Sequence, residues 1–132
     1  ELAAAEREAE AARLGALRER LSGLILAGSS GVELTASSAP HAPHLLHLVA
    51  PGVRSEELLV LLDAEGISAS AGAACTSGAS RGSAVLVAMG ADAARARSAL
   101  RLSLGWSTTA EEVEEAAATI CRALGQLSSS PR

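Results

Sequence analysis

One thiol, one cation inside an alternating strand and three closely spaced histidines are the groups in this chain that could do chemistry. Cys75 lies in "SASAGAACTSGAS", Ser68 to Ser80, a run of small residues with no apolar period. A free cysteine is usually a small buried hydrophobe. A glycine-rich loop instead exposes its backbone and can carry a reactive thiolate to a target. Spacing alone leaves both readings of Cys75 open. Cys121 is the contrast, because it sits beside the helical stripe Val113, Ala117, Ile120, Leu124 and reads as core or near-core filler. Arg101 interrupts the alternating run "ALRLSLG". It is either the outward polar residue of a half-buried strand or a fixed guanidinium fork for a carboxylate. The pattern does not choose between them.

The other candidates are weaker. His41, His44 and His47 have tempting metal spacing, but Pro43 stands between the first two and opposes a helix that would stack them. On a strand, His44 and His47 point to opposite faces. They read as ordinary surface or pocket histidines, and no metal site is expected. Gly78-Ala79-Ser80-Arg81-Gly82 matches a Gly-x-Ser-x-Gly nucleophile elbow. In that fold the triad histidine follows the serine, whereas all three histidines here precede it, so the match is rejected.

These groups must be positioned by a small, aromatic-poor fold. The 132 residues are enough for one domain, and 48% hydrophobic with 20% charged residues marks a globular chain. There is no Tyr or Phe and a single Trp, Trp106, so the core must be aliphatic and rich in Ala. An Ala-rich core buries little area, so the expectation is modest stability or an apolar face that leans on something outside the chain. The net charge of −4, without a basic stripe, argues against nucleic acid and anionic membranes as partners. The aliphatic run Leu58 to Leu62 falls far short of the roughly 20 residues a spanning helix needs. The opening "ELAAAEREAEAARL" is too charged for a signal peptide. Two cysteines in unlike settings do not make a disulfide framework, and a reducing, cytoplasmic location fits. All eleven basic residues are Arg, and the start at Glu1 without Met suggests a fragment.

Along the chain, Glu1 to Leu21 reads as a helix with the stripe Leu14, Leu17, Leu21, stopped at Gly23. "LILA" and "GVELTAS" read as short strands around the turn Gly28–Gly31, and "HLLHLVA" as another strand. Ser55 is expected to N-cap a helix running to about Glu65 and ending at Gly66. "ISASA" is a short strand entering the cysteine loop. "SAVLVAMG" makes one or two helical turns ending at Gly90, and "SALRLSLG" is a strand. Thr109 and Glu112 form a capping box for a last helix to about Leu124. Arg95 and Arg97 read as solvated. The class is α+β: a small antiparallel-rich sheet with helices packed on one face. Residues 1–127 form the single domain, and 128–132 a frayed tail.

Three stretches carry a family resemblance: "LLDAEGISASAGAACTSG", "AVLVAMG" and "ALRLSLGWSTTAEEVEEAA". Together they resemble the C-terminal, small domain of cysteine desulfurases, in the pyridoxal-phosphate-dependent class V aminotransferase family. The similarity is good from Ser55 to Leu124 and looser before it, and the long loop after Cys75 is like that of the branch serving iron–sulfur assembly. The resemblance implies that Cys75 is the nucleophile that takes sulfur from L-cysteine as a persulfide, releasing L-alanine. It implies that Arg101 binds the substrate carboxylate. It also implies a large domain of the same enzyme, from which helix 1–22 leads in, a homodimer at full length and a sulfur-acceptor protein. The chain departs from the family pattern at Arg81-Gly82-Ser83-Ala84, where a Glu-Pro-Ser-His-like run is usual. It also has no lysine for the Schiff base, so the cofactor is expected on the large domain, with none in this chain and no turnover by it alone. The alternatives are a selenocysteine lyase or another class V enzyme domain, and a cofactor-free persulfide carrier or interaction module.

Overall fold

The structure is a computed structural model that describes residues 2–72 and 82–129. Helix α1 spans Leu2–Gly28, strand β1 Glu33–Leu34 and strand β2 Leu45–Val49. Helices α2 (Ser55–Ala64), α3 (Ala84–Ala88) and α4 (Ala93–Ala96) follow, then strand β3 (Ala99–Ser103) and helix α5 (Ala110–Ser128). The sheet is antiparallel in the order β1-β2-β3. Leu46 pairs with Leu102, His47 with Arg101, Leu48 with Leu100, and Val49 with Ala99.

Alternation along these strands makes two different faces. Leu46, Leu48, Leu100 and Leu102 point into the main core, where Leu21, Ile25, Leu58, Leu62, Val113 and Ile120 meet them. Helices α1, α2 and α5 supply those residues, as expected for helices on one face. Burying one such side chain fully is worth about 1.5–3 kcal/mol. Val49 and Ala99 point the other way and form a second small cluster with Leu86 of α3 and Ala96 of α4. The two short helices therefore cover one end of the opposite face, and among the described residues no helix covers the rest of it.

α1 and α5 run parallel. Arg13 donates to the Thr108 carbonyl, Arg20 pairs with Glu114, and the Cys121 thiol approaches the carbonyls of Leu24 and Ile25. These contacts join residues 94–97 apart in the chain, a nearly constant register. Buried Leu14, Arg18, Leu21 and Ile25 on α1 repeat at alternating spacings of four and three, as do Val113, Ala117, Ile120 and Leu124 on α5. Cys121, expected as core or near-core filler, is half-buried against the end of α1.

Several expected elements shift. "LILA" is helix rather than strand, because Ile25 continues the α1 stripe and its burial outweighs the roughly 1 kcal/mol penalty of helical Gly23. The strand in "GVELTAS" shrinks to Glu33–Leu34. The N-cap geometry of α2 belongs to Arg54, because the Ser55 hydroxyl lies 2.7 Å from the carbonyl oxygens of both Arg97 and Ala99 and shares its one proton with them instead. The short helix α4 was not foreseen, although Asp92 caps it through Arg95 N–H. Arg95 is not simply solvated, since it pairs with Glu33 at 2.7 Å. α5 outruns Leu124 and ends at Ser128, while its capping box of Thr109 and Glu112 forms as expected.

Candidate functional site

Arg101 sits at the middle of β3, half-buried on the outward face. Leu100 and Leu102 take the inward positions on either side, so strand geometry alone turns the guanidinium outward. On one flank its cross-strand partner is His47 of β2. On the other flank a single rung ties it to Ser70, all that remains of the expected "ISASA" strand. Arg101 N–H donates to the Ser70 carbonyl at 2.7 Å, and Ser70 N–H donates back to the Arg101 carbonyl at 3.1 Å. Ile67 and Ala69 meanwhile pack toward the core, which sets which way the chain faces as it leaves the sheet. Among the described residues the Arg101 guanidinium has neither an ion pair nor a hydrogen-bond acceptor.

Cys75 lies outside the described residues, as do Ser80 and Arg81. The two limbs that flank 73–81 are described, and they meet. A Cβ on Gly72, at φ +123°, would lie 3.2 Å from the Ser83 hydroxyl. Ser83 is buried, donates its N–H to the Ala96 carbonyl at 2.8 Å, and caps α3 through Leu86 N–H. Gly82 packs so closely on the Ala96 backbone that a Cβ there would lie 2.6 Å from the carbonyl carbon. The chain therefore leaves beside Arg101 and returns through a neck clamped onto α3 and α4.

His47 is the member of the site that sequence reasoning missed. Its role depends on strand register, which no local pattern encodes. Thr35 lies 2.7 Å from Nδ1 and holds the ring. Burial, and then the positive charge of Arg101, keep His47 below the ordinary histidine range. His41 and His44 are exposed and stand apart from this arrangement. Among the described residues, no group of three His, Cys, Asp or Glu is placed to hold a metal ion. Nor is any helix among them long and apolar enough to cross a membrane.

Among the described residues, this arrangement is an uncompensated guanidinium on a half-buried sheet face, next to the point where the chain enters the glycine-rich run. An unpaired guanidinium of this kind suits a carboxylate. Pyridoxal phosphate does not fit the chain by itself. A Schiff base needs a lysine, and none of the 132 residues is one.

The comparisons agree with this layout. The class-V aminotransferase family matches residues 2–116. An IscS-like cysteine desulfurase of Mycobacterium tuberculosis is 44% identical over 110 residues, covering 83% of this chain and 28% of that protein. The cysteine desulfurase IscS of Pseudomonas putida is 36% identical over 126 residues, covering 96% of this chain and 30% of its own. A solved NifS-like protein superimposes with a TM-score of 0.77 at 27% identity, covering 95% of this chain and 31% of its own. A NifS-like protein from Rickettsia africae has the same fold, with a TM-score of 0.71 at 21% identity and coverage of 91% and 29%. The chain thus spans 28–30% of the length of these curated relatives.

Proposed function

The chain belongs to the class-V aminotransferase family, and from that premise we propose that it is the small domain of a cysteine desulfurase. In this reading L-cysteine and the Cys75 thiol give L-alanine and a Cys75 persulfide. One sulfur atom moves: the bond to the cysteine carbon breaks, a new sulfur–sulfur bond forms, and the carbon gains a proton. Arg101 holds the substrate carboxylate through a charge-assisted fork. The persulfide then hands its outer sulfur to an acceptor protein.

The observation that carries the reading is the reciprocal pair of hydrogen bonds between Ser70 and Arg101. It fixes the start of the Cys75 loop against the residue assigned to the substrate. The neck at Gly72 and Ser83 supports the same layout, since it brings together the two limbs that flank 73–81. We place the pyridoxal phosphate and its lysine on the large domain of the same enzyme. That domain is proposed to cover the open half of the sheet, where Thr35, Leu45, His47 and Arg101 are half-buried and Ser103 is exposed. The complete enzyme is proposed to be a homodimer. A free thiol that cycles through a persulfide needs a reducing compartment, so the cytoplasm is the proposed location.

Mass spectrometry of the complete enzyme after incubation with L-cysteine tests the reading. One added sulfur is expected on the peptide containing Cys75 and none on that containing Cys121, and Cys75→Ala should abolish it. Steady alanine formation by Cys75→Ala would remove the assignment.

A further inference from the structure

Arg101 faces a second basic group directly across the sheet. Cross-strand partners such as His47 and Arg101 stand with their Cβ atoms about 5 Å apart. The His47 ring is anchored at Nδ1 by the Thr35 hydroxyl. The Thr35 hydroxyl has a single proton and two neighbours, Nδ1 at 2.7 Å and the His47 carbonyl oxygen at 3.2 Å. A carbonyl can only accept; with the hydroxyl proton given to it, the proton in the shorter contact belongs to Nδ1. The basic nitrogen is then Nε2, which has no hydrogen-bond partner among the described residues.

The charges around the ring are few. From β3 the imidazole faces Arg101, and the rung beyond it is the uncharged Ser70. From β1 the nearest charge on this face is Glu33, opposite Val49, and it is taken by Arg95 of α4 at 2.7 Å. On its own strand, His44 lies before the first residue and is exposed. Among the described residues, then, the group opposite the imidazole is a cation with no carboxylate to offset it.

We infer that His47 is a second substrate-binding residue: when a carboxylate settles on Arg101, Nε2 takes a proton from solvent, and imidazolium and guanidinium hold the anion between them. This rests on the reading that Arg101 receives the substrate carboxylate. Two adjacent cations repel, and an anion between them turns that repulsion into attraction. The Thr35 contact already suits the charged ring, since Nδ1 donates in both states. Reciprocity requires that a proton drawn in by the carboxylate also tightens its binding.

The test is an NMR titration of the chain with isotope-labelled imidazoles, using L-alanine as the carboxylate probe and L-alaninamide as the control. L-Alanine should move the His47 midpoint to higher pH, L-alaninamide should not, and His41 and His44 should respond to neither. L-Alanine should bind about fivefold or more tightly at about pH 5.5 than at about pH 8, and His47→Gln should lose that gain. If Arg101→Gln binds L-alanine as well as the unaltered chain, the Arg101 reading fails and takes this inference with it. If Arg101→Gln abolishes binding while the His47 midpoint and the affinity ignore one another, the His47 inference alone is overturned.

Discussion

A guanidinium keeps its proton in a protein, whereas an imidazole can give it up. That difference separates the two basic residues that meet across β2 and β3. Arg101 stays charged and His47 yields, because burial and the neighbouring cation both oppose a second charge. The direction has a consequence for stability. The folded chain holds the His47 proton less tightly than the unfolded chain, so the unfolded state binds more protons as pH falls from the ordinary value of 6.5. Stability from this residue is complete above that value and is lost as pH drops toward the folded one. Urea unfolding at about pH 7.5 and about pH 5 should show the loss, and His47→Gln should make it shallower. An identical slope in both proteins would show that the ring is not the titrating group. Glu10 and Glu33 are held below the usual carboxylate range by Arg13 and Arg95. They act in a more acid window and do not confuse the comparison.

At the scale of elements, the parallel pair α1 and α5 shows how a small contact sets a register. A Cβ on Gly28 would lie 2.7 Å from the Cys121 sulfur, so the last turn of α1 closes on α5 only because Gly28 has no side chain. Gly28→Ala is expected to destabilise the chain by about 1–3 kcal/mol through overpacking. In a Cys121→Ala background the same change should be nearly neutral, and a double-mutant cycle read by denaturation measures the coupling. Gly23 is the opposite case, since nothing lies within 4 Å of a Cβ built there. Gly23→Ala should therefore stabilise α1 by about 0.5–1 kcal/mol. A loss at Gly23 would mean that its burden on the helix has been misjudged. The same clamp logic holds the β3–α5 turn, where Arg13 binds the carbonyls of Gly105, Trp106 and Thr108.

For the whole molecule, the layout is a core closed on one side of the sheet and a face left half-covered on the other. Exposed apolar residues gather on the half-covered side at Val85 and Val87 of α3 and at Met89, its C-cap, while Trp106 is 86% exposed beyond β3. The neck at Gly82 joins the two halves, because it pins the returning limb onto the backbone of Ala96. Its φ of +72° is left-handed, and a Cβ would collide with main chain that cannot rotate away. Gly82→Ala should cost about 2–5 kcal/mol, combining backbone strain with overpacking. Thermal unfolding checks it, and a melting point equal to that of the unaltered chain would show that the neck is not a fixed contact.

Much of this protein was already legible in local pattern. The capping box at Thr109 and Glu112, the stripe Val113–Leu124, the strand through Arg101 and the helix before Gly66 all depend on neighbours a few residues away. The family resemblance singled out Arg101 and Cys75 for the same reason, since motif order is a property of the chain. Local pattern could not show that α1 passes through Gly23, because a distant helix, α5, stabilises those turns. It could not show that Ser55 turns from its own helix to β3, or that His47, held by Thr35, stands beside Arg101. Those facts depend on strand register and helix packing, where residues far apart in the chain meet and the energy of long-range burial overrides local preference.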